Sequence, residues 1–140
     1  MSDCIFCKIA AKEIPSEKLY EDDNIFVFLD AHPVNPGHAL VIPKAHHLNI
    51  FDIPEDTFAQ VMVGAKKVAG IIKETLQTDG INIGMNNDPA AGQVVFHAHV
   101  HVIPRFENDG HKHWHGVPYK EGEQKEIAER IRGAIEKTDQ

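Results

Sequence analysis

Residues 94–103, Val-Val-Phe-His-Ala-His-Val-His-Val-Ile, combine an apolar run with a histidine at every second position of its middle. Successive side chains of a β-strand point to opposite faces, so a strand over Val94–Ile103 puts His97, His99 and His101 on one face. Phe96, Ala98, Val100 and Val102 then share the other face, which has to back onto a core. Three titratable rings in a row are costly to hold unless they bind a metal, an anion or one another, so the segment marks a site rather than packing. The chain carries its own control. His111, His113 and His115 repeat the spacing, but Lys112, Trp114 and Gly116 lie between and after them, and Asn108-Asp109-Gly110 precedes them. With no apolar face behind it, this second triplet reads as surface loop.

A chain of 140 residues has the size of one ordinary domain, 1–140, and its 42% hydrophobic content is enough to bury a core. No basic segment leads into an apolar run and no stretch approaches the length of a membrane span, so a cytoplasmic protein without membrane contact is expected. The formal charge is −7, from 14 Lys and Arg against 21 Asp and Glu, with no basic stripe to track a polynucleotide. A small anion remains within reach, because backbone N–H groups, amides and imidazoles hold phosphate whatever the global charge. In a reducing compartment the only two cysteines, Cys4 and Cys7, read as a metal clip or a redox motif.

Ile5–Lys12 reads as a short helix stopped near Ile14-Pro15, followed by strands at Lys18–Glu21 and Asn24–Asp30. The second of these is too uniformly apolar to face water on either side. Asn35-Pro36-Gly37 is a turn into a strand over His38–Ile42. The longest helix spans about 55–76, with Asp52 as N-cap, Pro54 in the first turn, and Phe58, Val61, Met62, Ala65, Val68, Ala69 and Ile72 at helical spacing. Gly80–Met85 forms a strand, Asn86–Gly92 a polar loop, and Glu121–Lys137 a terminal helix with Ile127, Ile131 and Ile135 on one stripe. Strands joined by short turns with two well-separated helices indicate an α+β fold with a mainly antiparallel sheet. No P-loop or dinucleotide fingerprint follows any strand.

These residues resemble the histidine triad (HIT) family of nucleotide hydrolases and transferases, in its zinc-containing bacterial-type branch. The likeness rests on His97-x-His99-x-His101 with its apolar neighbours, Cys4-Ile5-Phe6-Cys7-Lys8-Ile9, Leu29-Asp30, Pro36-Gly37-His38, Leu40-Val41-Ile42-Pro43-Lys44 and Gly92-Gln93-Val94. The resemblance implies a single HIT domain with a five-stranded sheet and a long helix. Its core covers about 4–104, a C-terminal loop and helix about 105–138, and the whole pairs into a homodimer.

The resemblance also implies roles. His99 is the nucleophile, attacking the α-phosphorus of a purine nucleoside monophosphate derivative, a phosphoramidate or dinucleoside polyphosphate, to give a nucleotidyl-histidine that water cleaves. A backbone carbonyl is expected to fix its attacking tautomer. His101 serves the phosphate or bridging atom, with Asn86, Gly92 and Gln93 at phosphate and leaving-group positions. Many relatives carry a hydroxyl residue after Gly-Gln; here Val94 leaves that contact to its backbone N–H or to water. Asp30 corresponds to the ribose acceptor, and Ile5, Phe6, Ile9, Phe28, Leu29 and Leu40 to the apolar slot around the base. Cys4, Cys7, His46 and His97 correspond to a closed structural zinc site, with His47 as the alternative to His46, and no catalytic cofactor is called for. Two rivals stay open: a zinc hydrolase whose triad ligates the metal, and a nucleotide-binding or interaction protein with little turnover.

Overall fold

The apolar run Ile25–Leu29 determines the layering, because a strand greasy on both faces needs cover on both. In the computed structural model, which describes residues 3–138, this run is strand β2, and Ile25 to Phe28 are all buried. It follows helix α1 (Ile5–Ala10) and strand β1 (Lys18–Glu21), and precedes β3 (Ala39–Pro43) and the long helix α2 (Glu55–Leu76). Strand β4 (Gly80–Gly84), a single 3₁₀ turn at Pro89–Ala91, β5 (Val100–Arg105) and helix α3 (Glu123–Thr138) complete the order. The five strands form one antiparallel sheet in the order β1-β2-β3-β5-β4.

Alternation along β2 divides the interior in two. Ile25 and Val27 pack with Val41, Val100 and Val102 against Val61, Ala65, Val68 and Ile72 of α2. Phe26 and Phe28 turn the other way and pack with Leu40 and Ile42 against Phe6 and Ile9 of α1. Each fully buried Val, Ile or Phe contributes about 1.5–3 kcal/mol, so both layers are strongly held. Gly64 lets α2 approach the sheet: a Cβ there would lie 2.5 Å from Ile25 Cδ1. Asn35-Pro36-Gly37-His38 is a tight turn, with His38 N–H donating to the Asn35 carbonyl at 3.0 Å and Gly37 at φ +97°. That positive φ is the conformation a type II turn demands of its third residue.

Residues up to Asp109 make one compact unit and those from Gly110 another. Within the second, 111–120 is irregular and exposed, His111, His113 and His115 included, and α3 carries the Ile127, Ile131, Ile135 stripe. No helix of the described residues is long and apolar enough to cross a membrane.

Two local expectations are corrected. Regular strand begins at Val100, not Val94, because β3 offers partners only for Val100, His101 and Val102; before that the chain leaves the ladder, and Ala98 N–H donates to the His47 carbonyl at 2.7 Å. Phe96, freed from the strand, is exposed, whereas Ala98, Val100 and Val102 do back onto the α2 layer. Asp52 does not cap α2. Its carboxylate accepts the Leu48 and Asn49 N–H groups, both at 2.9 Å, and Pro54 takes the cap position without a side-chain bond.

Gly64→Val is expected to destabilise the fold by about 2 kcal/mol through overpacking against Ile25. Gly70→Ala, on the same helix but with open space around it, should stabilise by about 0.5–1 kcal/mol. Urea unfolding midpoints of the two variants check the contrast.

Candidate active site

A cleft of about 750 Å³ opens on the α1 side of the sheet. Ile5, Phe6 and Ile9 of α1 form one wall, Phe28, Leu29 and Leu40 of β2 and β3 another, and Asp30 stands just past the end of β2. Asn86, Gly92 and Val94 border it from the loop after β4, with His99 and His101 at that end. Phe6 is central: its ring meets Phe28 edge-on at 5.5 Å between centroids and His99 at 5.1 Å. The structure thus brings together every expected nucleoside and phosphate residue except Gln93.

The hydrogen bonds decide the tautomer of each triad ring. His97 is fully buried and its Nε2 lies 2.8 Å from the Pro43 carbonyl, which only accepts, so Nε2 carries the proton. Its Nδ1 is left as a lone pair, 3.4 Å from the sulfur of Cys4 and 3.4 Å from that of Cys7. His99 directs Nδ1 to the His97 carbonyl at 2.7 Å, so its proton sits there and Nε2 is the free lone pair. For His101 the decision comes from His38. Val34 N–H donates to His38 Nδ1 at 3.0 Å, which forces the His38 proton onto Nε2, and that Nε2–H donates to His101 Nδ1 at 2.9 Å. His101 therefore carries its proton on Nε2. One ring has a lone pair and its neighbour, 5.0 Å away between centroids, has an N–H.

Burial keeps these rings neutral. It pushes His99 and His38 below the ordinary imidazole value. Desolvation lowers His97 to about 4, opposed by the Pro43 hydrogen bond. His101 is lowered to about 4 by burial and then by the neighbouring His99 and His38. Asp30 accepts the His32 N–H at 2.9 Å on one oxygen, and its other oxygen stands 3.7 Å from His38 Nε2. Since the His38 proton is already given to His101 at the shorter distance, that carboxylate keeps lone pairs for a hydroxyl ligand.

The loop residues sort themselves by what their donors already hold. Gln93 is buried, with its amide donating to the Leu48 and Val95 carbonyls while its oxygen accepts from Asn49 Nδ2 and Asp88 N–H. It braces the loop and has nothing left for a ligand. The Gly92 N–H is spent on the Pro89 carbonyl and the Gln93 N–H on the Asp88 carbonyl. The Val94 N–H and the Asn86 amide have no hydrogen-bonding partner among the described residues. Gly92, at φ +94°, adopts a conformation that suits glycine.

Cys4, Cys7, His46 and His97 bring four ligand atoms within 4.8 Å of one another. His46, not His47, faces the thiols, with Nδ1 3.3 Å from Cys7 Sγ. Two sulfurs and two imidazole nitrogens form a donor set suited to tetrahedral zinc, and the tautomer of His97 turns its lone pair toward it. Asp30, His38 and His101 also cluster, yet Val34 N–H occupies the second nitrogen of His38, which makes this group a proton-bonded chain instead of a ligand set.

The HIT domain model matches residues 11–108. The chain belongs to the HIT family. Its structure superposes on that of a Streptococcus mutans protein with a TM-score of 0.91 and 40% identity, over 96% of this chain and 87% of that one. It is likewise similar to a zinc-bound histidine triad family protein of Mycobacterium smegmatis, with a TM-score of 0.77 and 34% identity over 99% and 96% of the two chains. The adenylylsulfatase HINT3 of Arabidopsis thaliana is 42% identical over 77% of this chain and 55% of its own length. The HIT family includes nucleotide hydrolases, and the fold of this member is theirs.

His38, Asn49, Val95 and the Pro15–Glu17 border of the cleft escaped the sequence reading. His38 had a signal, since it follows the Asn35-Pro36-Gly37 turn and opens the strand beside the triad; what was missing was the β3–β5 pairing that places Leu40 opposite His101.

Nitrogen-detected NMR should find His101 neutral between pH about 4 and about 6.5, with its proton on Nε2. In that window the unfolded chain binds a proton that the folded ring refuses, so stability should fall as pH is lowered through it. His38→Ala should let the His101 proton redistribute to Nδ1.

Proposed function

We propose that this HIT protein is a nucleotidyl hydrolase or transferase acting on purine nucleoside monophosphates joined to an amine or a second nucleotide. His99 Nε2 donates its lone pair to the α-phosphorus, a nitrogen–phosphorus bond forms, and the bond from phosphorus to the leaving group breaks with its electrons on that group. His101 Nε2–H hydrogen-bonds the departing atom, and that atom takes its proton from solvent water. Water then attacks the phosphorus of the nucleotidyl-histidine, the nitrogen–phosphorus bond breaks with its electrons returning to His99 Nε2, and the proton of the attacking water passes to solvent. The observation that carries this reading is the 2.7 Å hydrogen bond between His99 Nδ1 and the His97 carbonyl, which leaves the attacking nitrogen unprotonated in the cleft. The Val94 N–H and the Asn86 amide are the donors available to the phosphate, Asp30 accepts from the ribose, and the apolar slot takes the base. Similarity to a protein named an adenylylsulfatase supports nucleotidyl chemistry.

Cys4, Cys7, His46 and His97 form a structural zinc site in this reading. Zinc would supply a closed tetrahedral clamp tying α1 to the segment before β5. The rival in which the triad ligates a catalytic metal is disfavoured by the separate partners of His99 and His101. Exposed Val63 and Ile71 on α2 and Ile83 on the edge strand β4 support a homodimer paired through that helix and edge. A reducing, cytoplasmic setting suits the thiol pair.

Incubation with an adenosine or guanosine phosphoramidate should trap a phosphorus-bearing adduct on His99, and His99→Ala should lower turnover by at least about 10³-fold. Absence of any adduct with phosphoramidates and dinucleoside polyphosphates alike, in a protein that still binds nucleotide, would favour the binding role. Chelation, or Cys4→Ser with Cys7→Ser, should release one zinc per chain and lower the melting temperature. If it abolished turnover while leaving the fold and its melting temperature unchanged, the metal would belong to the chemistry.

A further inference from the structure

The cleft has two unlike ends, and the sheet register measures the distance between them. His101 of β5 stands opposite Leu40 of β3, Leu40 opposite Phe28 of β2, and Phe28 opposite Lys18 of β1. At about 4.8 Å per strand, this row carries the cleft about 14 Å from the phosphate histidines to β1. Leu40 and Phe28 pave the middle. At the far end the apolar walls stop, and Pro15, Ser16 and Glu17 take over the border. Glu17 is anchored there by its main chain, whose carbonyl accepts the Leu29 N–H at 3.0 Å.

The Glu17 carboxylate makes no hydrogen bond or ion pair among the described residues. The cations flanking it in sequence are spoken for: Lys12 and Lys18, together with Lys44 from the end of β3, converge on Glu21 at 3.0, 3.2 and 2.6 Å. An uncommitted carboxylate at the base end of an apolar slot is a pair of acceptors waiting for donors. On a purine those donors differ by base. The pairing edge of guanine offers N1–H and the 2-amino group side by side, matching the two oxygens of one carboxylate. Adenine offers one amino group beside an unprotonated N1, whose lone pair repels the second oxygen. The Ser16 hydroxyl, next in the chain, adds a donor for guanine O6.

We infer that Glu17, with Ser16 beside it, reads the pairing edge of the base and makes this protein prefer guanine nucleotides over adenine nucleotides. The inference rests on the proposed nucleotide cleft and assigns its base. Hydrogen bonds to a charged group discriminate most when buried, and the exposure of Glu17 sets the expected preference at about tenfold.

The test is calorimetric binding of GMP, IMP and AMP to the full-length protein and to Glu17→Ala. IMP keeps N1–H and lacks the 2-amino group, so the expected order is GMP, then IMP, then AMP. In Glu17→Ala the GMP to AMP ratio should collapse to within about twofold, chiefly by weakening GMP. Equal or tighter binding of AMP by the wild type, or a guanine preference that survives Glu17→Ala, overturns the role of Glu17 and leaves the nucleotide cleft standing. Failure of all three nucleotides to bind overturns both.

Discussion

The hydrogen bond between His97 Nε2–H and the Pro43 carbonyl is the contact on which the site depends. It joins two fully buried residues 54 positions apart, at the point where β3 ends and the chain approaches β5. From this one ring three consequences follow. Its proton placement turns Nδ1 toward Cys4 and Cys7, its position presents the backbone carbonyl to His99, and its edge packs on Phe6 at 6.1 Å. The thiol cluster, the His99 ring proposed as nucleophile and the apolar wall are thereby registered to one side chain. A buried imidazole that lost this partner would leave an unsatisfied donor, at a cost of about 1–3 kcal/mol, so the arrangement resists rotation.

The same energy scale explains why tautomers, rather than charges, organise the chemistry. If His99 moved its proton to Nε2, the buried bond to the His97 carbonyl would be lost and two lone pairs would face each other. At about 1.4 kcal/mol per factor of ten, a penalty of about 1–3 kcal/mol leaves at most about a sixth of the molecules with the wrong nitrogen protonated. His38 does for His101 what a carbonyl does for His99, but with the opposite result, because a donating N–H rather than an accepting oxygen faces the second ring. Neutrality then matters as much as geometry: burial holds the rings below their ordinary pKa, so neither an excess positive charge nor proton loss is needed to set a free lone pair beside a donor.

The parts legible from residues alone were those governed by periodicity. The Ile25–Leu29 run announced a strand covered on both faces, the 55–76 repeat announced α2, and both are found where the pattern put them. The alternation from Ala98 to Val102 foretold which side of the histidine segment meets the core, although only the residues from Val100 onward are strand. What escaped was decided by long-range partners. Asp52 has the composition of an N-cap, yet the Leu48 and Asn49 amides reach it first. Gln93 sits in a segment suggestive of ligand contact, yet Leu48, Asn49 and Asp88, remote or nearby, consume its amide. His38 reads as the first residue of a strand, and nothing local shows that this strand will lie beside β5.

The sheet thus acts as a ruler, and the loops as the adjustable marks upon it. Strand pairing sets the row from His101 through Leu40 and Phe28, and no side-chain change along it can alter the spacing without breaking the ladder. Apolar side chains on that row hold a flat ring without distinguishing one from another, since area burial is non-directional. Discrimination therefore has to come from the ends, where the chain has left the ladder and its polar groups are free to differ: the loop carrying Asn86, Gly92 and Val94 at one end, the stretch before β1 at the other. A fold built this way can keep one histidine row and one slot while what they accept is set by a few residues outside the regular structure.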